Sequence, residues 1–163
     1  VTEQEAIDRA RTYFLNEDNA YGCAETTLMV LQQAYDLHGA GDPSPAMALN
    51  GGIAWGGGPC GAITGAAMAV GRLAGQSIDD HHEAKRIARG IVARFVDAFQ
   101  SRYGAINCRE LIGQDISTAE GHAAFIEGKM WHGVCMDQIE FAICHLAGLQ
   151  DPEVWQRALL ELE

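Results

Sequence analysis

The chain has 163 residues, 48% hydrophobic and 20% charged, which fits one globular domain whose core needs no disulfide staples. Its 11 basic and 22 acidic residues leave a net charge of −11, a field that repels phosphate backbones and anionic lipid. No nucleic-acid or membrane role is expected, and the acidic, polar start Val1-Thr2-Glu3-Gln4-Glu5 lacks the features of a secretory signal, so the expected location is cytoplasmic.

Almost every segment reads as helix. Thr2-x-x-Glu5 forms a capping box before Ile7, Ala10 and Phe14 at helical spacing, and Asn16–Asn19 breaks that helix. A second helix is predicted from about Cys23 to Leu37, with Gly39 as its stop. After the loop Gly39–Pro43, Ser44-Pro45 opens a short helix to about Asn50.

The next stretch is unusual. The chain holds 19 glycines, and nine of them fall between Gly51 and Gly75. Gly51–Pro59 is a glycine-dense approach to Cys60-Gly61-Ala62-Ile63-Thr64-Gly65, which continues as small apolar residues to a stop at Gly75. The Gly61-x-x-x-Gly65 spacing lets another backbone come close, so this is the expected central buried helix. Asp79-Asp80 open a long helix to Tyr103, with Ile87, Ile91, Val92, Phe95, Val96 and Phe99 as its apolar stripe and Gly104 as its stop. A short turn at Asn107–Ile112 precedes a helix capped by Ser117-x-x-Glu120. Cys135–Ala147 and an amphipathic helix after Asp151-Pro152 complete the chain. No alternating strand pattern, repeat or linker appears. The expectation is a single all-α domain over residues 1–163, a helical bundle around a glycine- and alanine-rich helix.

On this map, four of five cysteines open helices: Cys23, Cys60, Cys108 and Cys135. A helix N-terminus carries unpaired N–H groups and partial positive charge, which lower a thiol pKa and suit a thiolate-ligated centre. Cys144 lies mid-helix and is assigned to packing, since free cysteine often acts as a small buried hydrophobe. An odd number of sparse cysteines points to reduced thiols, a metal site or redox chemistry, not a disulfide framework.

Gly56, Gly57, Gly58 and Gly61 around Cys60 have two readings, a tight turn with close packing or a backbone wrapped about a cofactor. No strand and no Lys-Ser/Thr pair accompanies them, which excludes a phosphate loop. His81 and His82 beside Asp79, Asp80 and Glu83 read as a solvated helix start. His132, three residues before Cys135, is a candidate ligand or base, while His38, His122 and His145 read as packing or surface groups. Asp18, Glu25 and Asp137 lie near the cysteines without carboxylate-pair spacing. Tyr21, Trp55 and Met136 are candidates for a pocket wall or for the core.

Tyr21-Gly22-Cys23-Ala24-Glu25, Cys60-Gly61-Ala62-Ile63-Thr64-Gly65, Asn107-Cys108-Arg109-Glu110-Leu111-Ile112-Gly113 and Cys135 together resemble the C-GCAxxG-C-C family, over roughly residues 10 to 147. That family is described as redox-active and is related to the non-haem part of split-Soret cytochromes. The resemblance implies Cys23, Cys60, Cys108 and Cys135 as the functional set and an iron–sulfur cluster, [2Fe–2S] or similar, as cofactor. No Cys-x-x-Cys-His is present, so covalent haem is not expected.

Three functions follow. The first is an iron–sulfur electron-transfer protein exchanging electrons with a partner protein or a small-molecule donor or acceptor. The second is a cofactor-free thiol enzyme in which Cys60 attacks and Cys23 or Cys108 resolves. The third is a structural zinc site on the four thiolates, against which the lack of Cys-x-x-Cys knuckles weighs. Small-residue helix faces also suit a homodimer.

Overall fold

The computed structural model describes residues 1–163 and is all-α. Helix α1 (Glu3–Phe14) starts at the expected capping box: the Thr2 hydroxyl accepts from the Glu5 N–H, and the Glu5 carboxylate accepts from the Thr2 N–H. Helix α2 (Cys23–Ala34) ends three residues before the expected Leu37, because Asp36 turns to φ +53°. Ser44–Leu49 is a 3₁₀ turn. Helix α3 (Gly61–Ser77) has Cys60 as its N-cap and continues through Gly75 instead of stopping there.

Helix α4 (His81–Tyr103) takes Asp80 as its cap, and Gly104 at φ +77° ends it. Helix α5 (Cys108–Ile112) is a single turn. Helix α6 (Ala119–Glu127) is capped one residue later than expected, by Thr118, whose hydroxyl accepts from the Gly121 N–H. Helix α7 (Met136–Leu146) continues directly from a π turn over Trp131–Cys135. Helix α8 (Pro152–Leu160) is capped by Asp151.

Helix α3 lies at the centre, packed most extensively on α2 and α4 and also against α7. Its small residues explain the closeness. A Cβ on Gly65 would stand 2.4 Å from the Ala24 carbonyl oxygen, so α2 and α3 meet backbone to backbone. Ala62, Ala66, Ala69 and Val70 are fully buried there, alongside Leu28 and Leu31 of α2, Phe99 of α4 and Ile139 and Ile143 of α7. This core extends from Ala6 to Leu149. Buried Tyr35 donates to the Leu146 carbonyl at 2.8 Å and ties the end of α2 to the end of α7. Helix α8 closes the far side, where Leu162 fills the space above Gly90 and Arg94 pairs with Glu161. No helix is long and apolar enough to cross a membrane.

Candidate functional site

The site is built where α2, α3 and α5 begin. Gly22, the α2 N-cap, has no side chain to cap with, and a Cβ there would stand 2.2 Å from the Asn50 Cγ. Asn50 caps from across the fold instead. Its Oδ1 accepts from the Ala24 N–H at 2.9 Å, and its Nδ2 donates to Glu25 Oε1 at 2.6 Å. Glu25 is buried and also accepts from the Gly22 N–H at 3.0 Å. The Cys23 thiol sits 3.9 Å from the same Asn50 oxygen.

After Asn50, five consecutive residues, Gly51 to Trp55, have positive φ and form a left-handed turn. Three of them, Ile53, Ala54 and Trp55, carry side chains, at a cost of about 1–2 kcal/mol each. The turn is held by the Gly57 and Gly58 N–H groups, which donate back to the Gly51 and Gly52 carbonyls. Pro59 then pairs antiparallel with Asn107: the Cys60 N–H donates to Ile106 O at 2.8 Å and the Cys108 N–H to Gly58 O at 2.7 Å. This two-residue bridge sets Cys60 and Cys108 side by side.

The glycines expected to wrap a cofactor approach protein atoms. A Cβ on Gly57 would meet the Arg109 side chain at 2.9 Å, and one on Gly61 would meet Cys23 Sγ at 2.2 Å and the Ala24 nitrogen at 2.7 Å. Gly58 lies against Gly52 and exposed Gly56 against the Ile53 carbonyl. None of the four lines the cavity described below.

Cys23, Cys108 and Cys135 line one cavity of about 350 Å³, together with Tyr21, Trp55 and Trp131. Cys60 is buried close to them, its thiol 3.4 Å from Oε1 of buried Gln138. All five cysteines are free. Two expectations need correction. Cys135 does not open a helix: it is the last residue of the π turn and lies inside a continuous helical run, because Trp131–Cys135 adds a wide turn ahead of α7. Cys144 is exposed, not packed in the core, because it falls on the solvent side of α7.

Nor does the helix-start setting lower the thiol pKa values. Burial pushes Cys23 up, although the N–H groups of Gly51, Ala24 and Gly61 act in the opposite direction. Burial, reinforced by the neighbouring Cys23, pushes Cys60 far up against the Ala62 and Ile63 N–H groups. Cys108 is pushed up to about 11 by burial and then Cys23. Cys135 is raised by burial and then by the other three. Desolvation outweighs the partial charge of a helix end here. Each of the four thus sits in surroundings that favour the neutral thiol.

No three His, Cys, Asp or Glu side chains stand together as the donors of a single metal ion. A four-thiolate zinc site, with bonds of about 2.3 Å, would require the thiols to draw in. An iron–sulfur cluster would require the same convergence; what the site offers either group is sulfur donors from separate segments, with backbone N–H groups at Cys23 and Cys60.

Other candidates separate cleanly. Tyr21 and Trp55 wall the cavity, while Met136 is in the core. His122 also lines the cavity, stacked on Trp55 with ring centres 4.5 Å apart. His38, His81, His82, His132 and His145 are exposed, as is Asp18, and Asp137 accepts from the Tyr103 hydroxyl at 2.6 Å. Asn50 and Gln138 were not among the sequence candidates. A polar side chain three residues after Cys135 on an otherwise apolar helix face was the available signal for Gln138. Asn50 had none beyond its place before the glycine run.

Residues 21–148 match the family model C_GCAxxG_C_C, described as "putative redox-active protein". The match begins at Tyr21, so α1 lies outside it. No curated protein and no solved structure matches the chain.

Proposed function

The chain belongs to the C_GCAxxG_C_C family of redox-active proteins, and from that premise we propose that Cys23, Cys60, Cys108 and Cys135 hold an iron–sulfur cluster through which it transfers electrons. One observation carries this reading: Cys23, Cys108 and Cys135 line one cavity from three separate segments and Cys60 is buried beside them, while Cys144 is exposed elsewhere. Such a cluster, when bound, supplies a one-electron centre whose potential depends on charge, burial and hydrogen bonds to sulfur. The protein's part is to position and insulate it. The Gly51, Ala24 and Gly61 N–H groups around Cys23, and those of Ala62 and Ile63 at Cys60, stabilise negative sulfur that burial otherwise disfavours. Gln138 and Asn50 present oxygen acceptors to the neutral thiols of Cys60 and Cys23.

Anaerobically prepared protein should be coloured and contain iron and sulfide. Serine at any of the four positions should remove the chromophore, whereas Cys144→Ser should keep it. Colourless, iron-free protein after anaerobic reconstitution refutes the cluster.

The cofactor-free alternative has one observation in its favour: Cys23 Sγ lies directly against Gly61, the neighbour of Cys60. Its difficulty is that the buried thiol of Cys60 is held neutral, and the attacking species is the thiolate. A reversible Cys23–Cys60 or Cys60–Cys108 bridge, found by non-reducing mass spectrometry in iron-free protein, would establish it.

A further inference from the structure

Gln138 is the one polar residue among the buried side chains of α7, where its companions are Met136, Ile139, Ala142, Ile143 and Leu146. It is only 2% exposed and follows Cys135 by three residues, about one helical turn. An amide taken out of water is costly unless its polar ends are paired. Here Oε1 has only the Cys60 thiol, at 3.4 Å, and an S–H is a weak donor. The thiol is the sole hydrogen-bond partner of the whole amide, so the two N–H groups on Nε2 serve nothing in the protein. A methionine would fill the same space without that cost. The fold therefore keeps a strong donor beside Cys60 that the free thiol does not use.

Iron at Cys60 would reverse what the sulfur asks of its neighbour. A free thiol donates to oxygen, whereas a metal-bound thiolate has no proton and only accepts. Rotating the terminal amide of Gln138 exchanges its oxygen and nitrogen within nearly the same outline, so the change needs no new space. The oxygen turned away is not orphaned. Gln138 also lines an open depression of about 500 Å³, with Tyr103, Leu111, Gly133, Val134 and Asp137, where water can pair the outer end of the amide. Asn50, the amide near Cys23, has no such freedom: its Oδ1 accepts from the Ala24 N–H and its Nδ2 donates to Glu25.

We infer that Gln138 is a positioning residue with two settings, accepting from the free Cys60 thiol through Oε1 and donating to the Cys60 sulfur through Nε2 once iron is bound. This rests on the cluster reading above and specifies what one buried side chain does for it. A hydrogen bond to a cluster sulfur offsets the negative charge gained on reduction and so raises the potential.

The test is anaerobic reconstitution of the full chain and of Gln138→Met, each followed by redox titration and by iron and sulfide analysis. Methionine keeps the space filled but cannot donate. Its reduction equilibrium should move about tenfold towards the oxidised form, a fall of about 59 mV for one electron. Wild-type protein carrying glutamine labelled with ¹⁵N at the side chain should show, when reduced, a pulsed-EPR coupling to that nitrogen, since Gln138 is the glutamine placed against a site thiol. In the iron-free chain, the S–H stretch of Cys60, assigned with Cys60→Ser, should rise in Gln138→Met as its acceptor is lost. Iron-loaded Gln138→Met at the wild-type potential, an absent nitrogen coupling, or an unmoved S–H stretch overturns this inference and leaves the cluster standing. A chain that takes up no iron overturns both.

Discussion

Replacing Gly61 by alanine puts a methyl group where the fold has no space. The new carbon would stand 2.2 Å from Cys23 Sγ, 2.7 Å from the Ala24 nitrogen and 3.2 Å from the Ala24 Cβ. A sulfur at a side-chain tip could swing aside; the Ala24 backbone cannot move without the first turn of α2. Overpacking of this kind costs about 1–3 kcal/mol, and the helix-propensity gain of alanine over glycine offsets at most about 1 kcal/mol. A net loss of up to about 2 kcal/mol lowers the thermal midpoint of a chain this size by up to about 8 °C. The same helix contains its own control. Gly71 has nothing within 4 Å of its added Cβ, so Gly71→Ala should raise stability by about 0.5–1 kcal/mol. Thermal and urea unfolding of both variants should therefore shift in opposite directions. If Gly61→Ala gains as much stability as Gly71→Ala, the close approach of Cys23 to α3 is wrong, and with it the placement of Cys23 beside Cys60.

Asn50→Ala removes the acceptor at the Ala24 N–H and the donor to buried Glu25, and should cost about 1–2 kcal/mol in urea unfolding. Asn50→Asp keeps the acceptor but sets a second carboxylate against Glu25, so it should be worse than alanine at pH 7; equal stability of the two variants counts against that contact. Maleimide should label one thiol quickly in native protein, exposed Cys144, and Cys144→Ser should abolish that fast phase. In iron-free Cys144→Ser protein, labelling of Cys108 should climb about tenfold per pH unit with no plateau by pH 9.5, because its thiol is pushed up to about 11; a plateau near the ordinary value of about 8.5 contradicts the burial.

The helices were legible where local chemistry decides them. The Thr2/Glu5 box, the Asp80 and Asp151 caps and the Gly104 stop are short-range signals, and each falls within a residue of its expected place. The central position of α3 was readable from its small residues for the same reason. Boundaries set by distant partners were not. Cys135 misled because a π turn has no composition of its own, so Gly133 looked like a start when the helix was already under way. The left-handed turn was hidden because Ile53, Ala54 and Trp55 ordinarily disfavour positive φ. The depressed thiol pKa values failed because a sequence shows a helix end but not how deeply it is buried. For the four cysteines, their long, irregular spacings say little; the helix starts and the family resemblance pick out the same set, of which Cys23, Cys108 and Cys135 line one cavity and Cys60 is buried beside them.

The distribution of the four thiols also bears on how the molecule folds. Cys23 and Cys135 are more than a hundred residues apart in the chain, and no two of the four lie close enough in sequence to nucleate a local knot. The complete set comes together only when α2, α3 and α7 are docked, so binding of any centre to all four would be coupled to folding of the whole assembly. Once loaded, the same wide separation becomes a restraint: tying an unfolded chain across a loop of about 100 residues removes about 4.7 kcal/mol of its chain entropy. A group that bonds both cysteines would therefore act as a latch on the whole helical assembly, released only with a large part of the fold.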